Sequence, residues 1–232
     1  SDGAGNIYVV GGVKDVGKLS SDMYRLNTWT LKWEKFEFHS YDEVSRRVLN
    51  LQGQTVVYHS NSCSLISFGG CSLRSFNNDC FRFHTERRVW EQMNTVGTIP
   101  APRFLHSAFI PKKGHSNLMF ILGGCNAGPR EEMLEMYELN LTSFEWTKVD
   151  CSGPIPCARM AFGTTYSAHL DCLFVFGGLT PSPEDKSITL DDFHSFHMST
   201  KTWARISTRF SPARRCLHAL FSHQQNIYLL GG

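Results

Sequence analysis

Residues 173–179 read LFVFGGL, an apolar run that ends at two glycines. This arrangement occurs five times, and the doublets are Gly11-Gly12, Gly69-Gly70, Gly123-Gly124, Gly177-Gly178 and Gly231-Gly232. Successive doublets are separated by 58, 54, 54 and 54 residues. A period this regular predicts a chain of repeated structural units. A phosphate-binding loop, the other use of paired glycines, is excluded because neither a Lys-Ser/Thr pair nor a helical pattern follows.

A second motif follows the first four doublets. It begins with Asp or Glu, has Asn or His as its sixth residue and ends on a Trp; the copies span residues 22–33, 79–90, 135–146 and 192–203. Apolar and polar residues alternate before the Asn or His, which is the period of a β-strand, and Asn or His favours a turn. The tryptophans begin the next strand and suit a place between neighbouring units. They are Trp33, Trp90, Trp146 and Trp203.

A third motif precedes the doublets. A Pro is followed three residues later by an Arg and then by a run rich in β-forming residues; these arginines are Arg103, Arg159 and Arg215. The corresponding stretch before Gly69, residues 45–58, departs from this pattern, and Arg47 is its best match. Each unit is therefore predicted to hold four short strands, with the glycine doublet at the end of the second strand.

Four strands per roughly 50 residues are typical of a β-propeller blade. The apolar run with Gly-Gly, an aromatic residue and a Trp nine residues later resemble the kelch repeat over essentially the whole chain; the aromatic residues are Tyr24, Phe81 and Tyr137. The fourth copy has His194 there, and Phe193 or Phe196 is the substitute. The resemblance implies an all-β, kelch-type propeller in a single domain, residues 1–232. Its repeats lie at about 13–70, 71–124, 125–178 and 179–232.

The strand count is uneven. Counting by place in the unit predicts five second strands and four each of the first, third and fourth strands, seventeen in all. Residues 1–12 and 221–232 both carry a second strand, so they duplicate rather than complete each other. We therefore expect the chain to be part of a larger propeller, six-bladed by resemblance to the family.

The composition favours a folded domain without a nucleic-acid or membrane partner. The 232 residues are 41% hydrophobic with a formal net charge of +2, and such partners need a concentrated basic face. No apolar run approaches the roughly 20 residues that span a bilayer, and the polar first residues predict no signal peptide. Eight cysteines without a Cys-x-x-Cys pair favour reduced thiols and a cytoplasmic or nuclear location, with a Cys151–Cys157 bridge as the alternative.

Strand order sorts the connections onto two faces. Loops from second to third strands and from a fourth strand to the next first strand emerge on the same side, which we call the long-loop face. They span residues 13–21, 71–78, 125–134 and 179–191, and 39–47, 94–103, 150–159 and 207–215. The opposite, short-turn face carries turns such as 111–117 and 222–226. Long loops on a rigid scaffold usually carry binding sites, so we expect the partner on the long-loop face.

Arginines on this face fall into two groups. The recurring Arg103, Arg159 and Arg215 are interpreted as structural, with a ring around the central opening as the alternative. Arginines that break the repeat are better candidates for a partner, because guanidinium groups recognise carboxylates; they are Arg46, Arg74, Arg130 and Arg214. Solvation of exposed loops is the alternative for each. Apolar residues after the recurring arginines predict a pocket floor formed by Leu105, Met160 and Leu217. Loop 180–192 is either a further contact or a tolerated insertion.

A protein-binding module is the predicted function. Copper oxidases of this fold, which resemble galactose oxidase, need converging His and Tyr ligands, whereas the ten histidines here are scattered, and no HExxH, GxSxG, P-loop or GxGxxG motif is present. No catalytic residue, metal or cofactor is predicted. The kelch resemblance implies a rigid disc that captures a peptide or partner surface, often as substrate receptor of a cullin-type ubiquitin ligase. A cytoskeletal or multiprotein scaffold is the alternative. An Arg-lined pocket with an apolar floor suits a peptide with an acidic group or a free C-terminus.

Overall fold

The computed structural model describes residues 1–15, 17–38, 42–112, 114, 116–126, 133–180 and 187–232. Its repeated strands form antiparallel sheets that follow one another as the blades of a β-propeller. The predicted all-β propeller is therefore confirmed. We number the blades 1 to 5 along the chain.

Blades 1 and 2 are separated by the helix of the described chain. Blade 1 comprises β1 (Asn6–Val10), a small hairpin of β2 (Val13–Asp15) and β3 (Lys18–Leu19), β4 (Met23–Asn27) and β5 (Lys32–Lys35). After helix α1 (Glu43–Leu49), blade 2 comprises β6 (Thr55–His59), a 3₁₀ turn (Ser60–Ser62), β7 (Ser64–Phe68), β8 (Cys80–His84) and β9 (Val89–Met93).

Blades 3 to 5 follow along the chain. Blade 3 and its connections comprise β10 (Val96–Gly97), β11 (Arg103–Phe104), β12 (Ser107–Phe109), β13 (Leu118–Leu122), β14 (Cys125–Asn126), β15 (Met136–Asn140) and β16 (Glu145–Lys148). Blade 4 comprises β17 (Gly163–Ser167), β18 (Cys172–Leu179), β19 (Thr189–His197) and β20 (Thr202–Arg205), and blade 5 comprises β21 (Ala219–His223) and β22 (Asn226–Leu230).

The blade strands have the predicted order. Within each blade, neighbours in the sheet are neighbours in the repeat, and the described residues contain the seventeen repeated strands that the sequence predicts. The first strands β6, β12, β17 and β21 contact one another from blade to blade, so they lie innermost. The fourth strands consequently form the outer edges of the blades.

Helix α1 corrects the loop predicted at residues 39–47. Its N-cap is Asp42, whose Oδ1 accepts the Ser45 amide at 3.1 Å, and Val48 and Leu49 are buried. These two apolar side chains belong to a core cluster that includes Trp90, and the helix lies against β9. A short helix is marginal alone, so this packing against blade 2 is what holds it.

The glycine doublets join neighbouring blades. The Gly123 amide donates to the backbone carbonyl of Glu135 within blade 3 (3.1 Å). The Gly124 amide donates to the carbonyl of Arg159, a residue that precedes blade 4 (2.9 Å). Gly123 has φ +62°, and a Cβ there would lie 2.7 Å from that same carbonyl oxygen. Only glycine combines this left-handed backbone with such a close approach, which explains why the doublet recurs.

The outer edges of blades 3 and 4 are covered by the connection that arrives from the preceding blade. Val96–Gly97 pairs in parallel with β16, and Ser152 forms a parallel bridge with Thr202 of β20. A Cβ on Gly97 would lie 2.4 Å from the Trp146 carbonyl oxygen, so the segment fits only with glycine there. Covered edges do not offer unpaired backbone groups to other chains. In blade 2, helix α1 takes this place against β9.

Three of the recurring tryptophans lie between blades, as predicted. Trp146 of blade 3 is 1% exposed and packs against Phe68 of blade 2, with ring centroids 5.0 Å apart. Trp203 and Trp90 are buried in the corresponding clusters. Trp33 of blade 1 is 57% exposed. Each Trp is the second residue of its strand rather than the first.

The two faces differ as the strand order predicts. The turns from first to second strands and from third to fourth strands are short, and the other connections carry α1 and the small hairpins. Blade 4 departs from the expected stop at its doublet, because β18 continues to Leu179 through a bulge between Phe176 and Gly178. This extends the β18–β19 hairpin on the long-loop face. No helix in the described ranges is long and apolar enough to cross a membrane.

Candidate functional site

Arg159 is buried inside the long-loop face. Its Nη1 and Nη2 donate to the two carboxylate oxygens of Asp192 at 2.8 and 2.7 Å, and Nη1 also donates to the Gly177 carbonyl at 3.0 Å. The side chain is 0% exposed. Burial raises the pKa of Asp192, but the hydrogen bonds and charges of Arg159 and His194 outweigh it and hold that pKa well below its usual range. This guanidinium therefore fastens the third strand of blade 4 to its glycine doublet.

Arg103 repeats the arrangement in blade 3. It donates to the Gly123 carbonyl at 2.9 Å and to Glu135 Oε2 at 3.3 Å, and its side chain is 3% exposed. Burial raises the pKa of Glu135, and the stronger effect of Lys148 and Arg103 lowers it. The geometry of Arg103 and Arg159 supports the structural interpretation rather than a ring of free cations around the axis.

The two remaining members of this set differ. Arg215 donates to the Gly231 carbonyl at 2.9 Å but has no carboxylate partner among the described residues. In the other repeats, the amide of the second doublet glycine donates to the carbonyl of the recurring Arg. Before blade 2, the Gly12 amide donates instead to the Leu51 carbonyl, so Leu51 occupies the backbone position of that Arg. Arg47 of α1 instead supplies the cation, pairing with Asp79. The predicted match of Arg47 therefore holds for the ion pair but not for the backbone position.

A chain of backbone hydrogen bonds surrounds the inner end of the long-loop face. The amide of Leu105 donates to the Gly53 carbonyl (2.8 Å), that of Ala161 to Leu105 (3.0 Å) and that of Leu217 to Ala161 (2.8 Å). Leu105, Ala161 and Leu217 share a left-handed backbone, with φ of 53–55°. Ala161 is thus the repeat equivalent of the two leucines, and the predicted floor residue Met160 directly precedes it.

Apolar residues directly precede two members of this hydrogen-bonded chain in the sequence. Met160 pairs with Leu179, and Phe104 pairs with Cys125, both in the residues that follow a glycine doublet. Phe104 also packs against Phe76 of the loop at 71–78, with ring centroids 5.1 Å apart. Leu217 is 72% exposed. Phe76 is therefore an aromatic neighbour of Phe104 that the sequence did not single out, and the apolar floor of Leu105, Met160 and Leu217 stays a prediction.

The arginines that break the repeat lie on separate parts of the long-loop face. Arg46 on α1 and Arg74 in the loop at 71–78 are exposed, and neither guanidinium has a hydrogen-bond or ion-pair partner within the described chain. Arg214 lies 3.4 Å from Asp191 in an exposed pair between blades 4 and 5. Arg130 lies outside the described residues. Blade 2 thus carries two free cations on this face.

Two of the buried histidines occupy one repeat position. His106 Nε2 and the Thr55 hydroxyl oxygen form a hydrogen bond at 2.8 Å. Burial lowers the pKa of His106 to about 3. His218 occupies the same repeat position before blade 5 and is also buried. All eight cysteines are free thiols, including Cys151 and Cys157. Within the described ranges, no group of three His, Cys, Asp or Glu side chains is placed to hold a metal ion.

The comparisons with known proteins agree with this geometry. Residues 3–232 match the family model described as the KLHDC2/KLHL20/DRC7 Kelch-repeats domain. The chain belongs to the kelch-repeat family. Kelch propellers bind protein partners, and they are typically non-enzymatic binding modules.

Several kelch relatives align with much of the chain. Human Kelch domain-containing protein 3 is 25% identical to the chain, over 95% of the chain and 56% of its own length. Human Host cell factor 2 is 26% identical, over 79% of the chain and 24% of its own length. The Leucine-zipper-like transcriptional regulator 1 homolog of Drosophila melanogaster is 29% identical, over 67% of the chain and 16% of its own length. The chain therefore spans little more than half the length of these relatives, or less.

Proposed function

We propose that this kelch propeller is a binding module that holds a peptide or a partner protein on its long-loop face. The observation that carries the proposal is the difference between two groups of arginines on that face. Arg103 and Arg159 are bound to carboxylates within their blades, whereas Arg46 and Arg74 present exposed guanidinium groups without a partner among the described residues. Exposed, unpaired guanidinium groups are suited to a carboxylate on another molecule.

The chemistry of the surrounding surface indicates the kind of ligand. Phe76, Phe104 and the exposed Leu217 supply apolar contact area on the long-loop face, and the free arginines supply positive charge on blade 2. A peptide that combines apolar side chains with an acidic side chain or a free C-terminal carboxylate complements both. The proposed role is binding without catalysis, in the cytoplasm or nucleus.

A finer proposal concerns the assembly in which the module works. We propose a substrate receptor of a cullin-type ubiquitin ligase, and the kelch family membership is its only support. Co-purification of the full-length protein with a cullin tests this step independently of peptide binding. A partner that spreads over the rim without inserting a peptide would instead favour a cytoskeletal or multiprotein scaffold.

The binding proposal is tested by calorimetry with peptides that differ only in charge. Each apolar peptide is prepared with a free or an amidated C-terminus and with or without an acidic side chain. We expect micromolar or tighter binding of the anionic forms, weakened at least about tenfold by Arg74→Glu or Arg46→Glu, since removing a charged hydrogen-bond partner costs roughly 1.5–3 kcal/mol.

Arg87→Glu is the matched control. Arg87 is exposed in blade 2 but lies in the turn between β8 and β9, on the short-turn face, so its reversal changes the net charge equally without touching the proposed site. Equal weakening by Arg87→Glu would show a nonspecific charge effect and contradict the proposal. So would equal affinity for anionic and neutral peptides.

A further inference from the structure

The connection that leads into blade 5 departs from the repeat. The recurring Pro of the third motif is preceded by an isoleucine in two copies, Ile99 and Ile155, and by Ser211 in this one. Two arginines are also new to this copy, because Arg209 stands where the other two have glycine and Arg214 stands where they have Pro or Ala. Together these changes form the sequence Arg-Phe-Ser-Pro-Ala-Arg, in which a Ser-Pro pair is flanked by cations.

The position of this connection is set by blade 4, whose sheet has all four strands. The amide of Arg215 donates to the Leu190 carbonyl of β19 at 3.2 Å, and before blade 3 the amide of Arg103 donates to the Asn77 carbonyl at 3.1 Å. Leu190 and Asn77 both lie two residues before the acid that begins the second motif. The connection before blade 5 therefore docks on the preceding blade in the same way as the connection before blade 3.

Ser211 is exposed, and its repeat position is also exposed where both neighbouring blades have four strands. Ile99, the equivalent residue between blades 2 and 3, is 43% exposed. The Ser211 hydroxyl donates to the Asp191 carbonyl at 3.3 Å, and Arg214 Nε lies 3.4 Å from the carboxylate of the same Asp191. The hydroxyl and the guanidinium group are therefore neighbours on the surface of blade 4.

We propose that Ser211 is a phosphorylation site for a proline-directed serine/threonine kinase and that Arg214 binds the resulting phosphate. Pro212 favours an extended backbone at Ser211, which is the conformation that a substrate segment needs along a kinase cleft. Pro212 also has no amide N–H, so it fits a cleft that offers no acceptor at this position. An arginine three residues after the serine supplies the cation that complements an acidic or phosphate group of the kinase.

The phosphoryl donor is a nucleoside triphosphate that the kinase binds with magnesium. A bond forms between the γ-phosphorus and the Ser211 hydroxyl oxygen, and the bond from that phosphorus to the β,γ-bridging oxygen breaks. The nucleoside diphosphate leaves, and the hydroxyl proton passes through the catalytic base of the kinase to solvent. The new group carries a charge of about −1.5 to −2 at pH 7.

The arginines of the connection outweigh the repulsion that the new phosphate meets. The Asp191 carboxylate lies close to Arg214 and opposes a second anion there. Arg214 forms charge-assisted hydrogen bonds with phosphate oxygens in place of this exposed pair, and Arg209, two residues before Ser211, adds a second cation. Phosphorylation therefore engages Arg214 within the chain.

The test is phosphorylation of the folded protein by a cyclin-dependent kinase with magnesium and ATP, quantified at each site by tandem mass spectrometry. The chain has three acceptors that precede a Pro, namely Ser211, Thr180 and Ser182. The third residue after Thr180 is Pro183, and the third residue after Ser182 is Asp185, so neither has the following cation. We expect kcat/KM at Ser211 to exceed that at either of the others by at least about tenfold.

Matched variants separate the motif from a general effect of charge. Arg214→Ala should lower kcat/KM at Ser211 about tenfold, and Arg214→Lys should restore most of it because the cation is retained. Arg205→Ala is the control, since Arg205 is exposed on β20 and its loss changes the net charge equally outside the motif. Ser211→Ala should abolish the product assigned to this site.

Binding of the phosphate by Arg214 is measured by a phosphorus NMR pH titration of the phosphorylated protein. The second pKa of a phosphoserine is about 6, and a neighbouring guanidinium group should hold it below the value found in phosphorylated Arg214→Ala. A peptide of residues 205–217 serves as the activity control for the kinase.

Four results would each overturn the proposal. They are phosphorylation of the peptide but not of Ser211 in the folded protein, reaction of Thr180 or Ser182 as fast as Ser211, equal slowing by Arg205→Ala and Arg214→Ala, and equal phosphate pKa values with and without Arg214. None of these measurements involves a binding partner, so their outcome is independent of the peptide titrations.

Discussion

Replacing Arg159 by Ala should destabilise the propeller rather than selectively weaken partner binding. The change removes a fully buried guanidinium and leaves the Asp192 carboxylate with His194 alone, and it removes a donor from the Gly177 carbonyl. Breaking a buried ion pair by removing one partner typically costs 3–5 kcal/mol. For a chain of this size, that corresponds to a decrease in melting temperature of roughly 6–20 °C.

The repeat supplies the matched control. Arg215 occupies the equivalent position before blade 5 and donates to the equivalent doublet carbonyl, that of Gly231. It is partly exposed, however, and has no carboxylate partner within the described chain. Arg215→Ala should therefore cost less than about 1 kcal/mol. Urea unfolding of both variants, together with Asp192→Asn and the Arg159→Ala/Asp192→Asn double variant, measures the coupling, which we expect at about 1–3 kcal/mol.

Two results would refute this reasoning. One is an Arg159→Ala protein whose free energy of unfolding lies within about 1 kcal/mol of the wild type, because the buried pair would then contribute little. The other is an Arg159→Ala protein of normal stability that has lost peptide binding. The recurring arginines would in that case belong to the partner site, and the distinction between bound and free arginines would fail.

The remaining predictions concern a buried histidine, a buried thiol and a glycine that lies close to a backbone carbonyl. Burial lowers the pKa of His106 from 6.5 to about 3. The contribution of neutral His106 to the free energy of unfolding is therefore complete above pH 6.5 and is lost as the pH falls toward 3. The free energy of unfolding should fall by up to about 1.4 kcal/mol per pH unit in this range, and His106→Phe should reduce that slope in urea unfolding measured at each pH. Burial raises the pKa of the Cys80 thiol to about 12, so iodoacetamide should label exposed Cys63 well before Cys80 in the native protein, and equal rates would contradict the buried environment. Gly153→Ala places a methyl group 2.3 Å from a backbone carbonyl oxygen, whereas Gly3→Ala, also at positive φ, meets nothing within 4 Å; thermal melts should show a larger loss for Gly153→Ala by about 1 kcal/mol or more.

The blades could be predicted because every repeat has the same packing problem. Gly123 must let the next chain segment approach, and Trp146 must fill the space against the preceding blade, so both types recur at a constant spacing. Helix α1 could not be predicted in this way. Its residues occur once, and its stability depends on contacts of Val48 and Leu49 with blade 2, which no local pattern reveals.

The candidate site was predicted less completely than the fold. The recurrence of Arg103 and Arg159 indicated a structural role, but the carboxylates that bind them lie 32 and 33 residues further along the chain. Apolar character alone predicts Met160 as a floor residue and does not identify the left-handed position, which falls on its neighbour Ala161. That register is visible only when the three segments are aligned on their arginines. Whether these residues bind a partner stays a prediction.

A departure from the repeat suggests a binding site only if no other part of the chain fills the vacated place. Leu51 departs from the recurring arginine, but Arg47 of α1 restores the ion pair with Asp79, so blade 2 needs no external partner there.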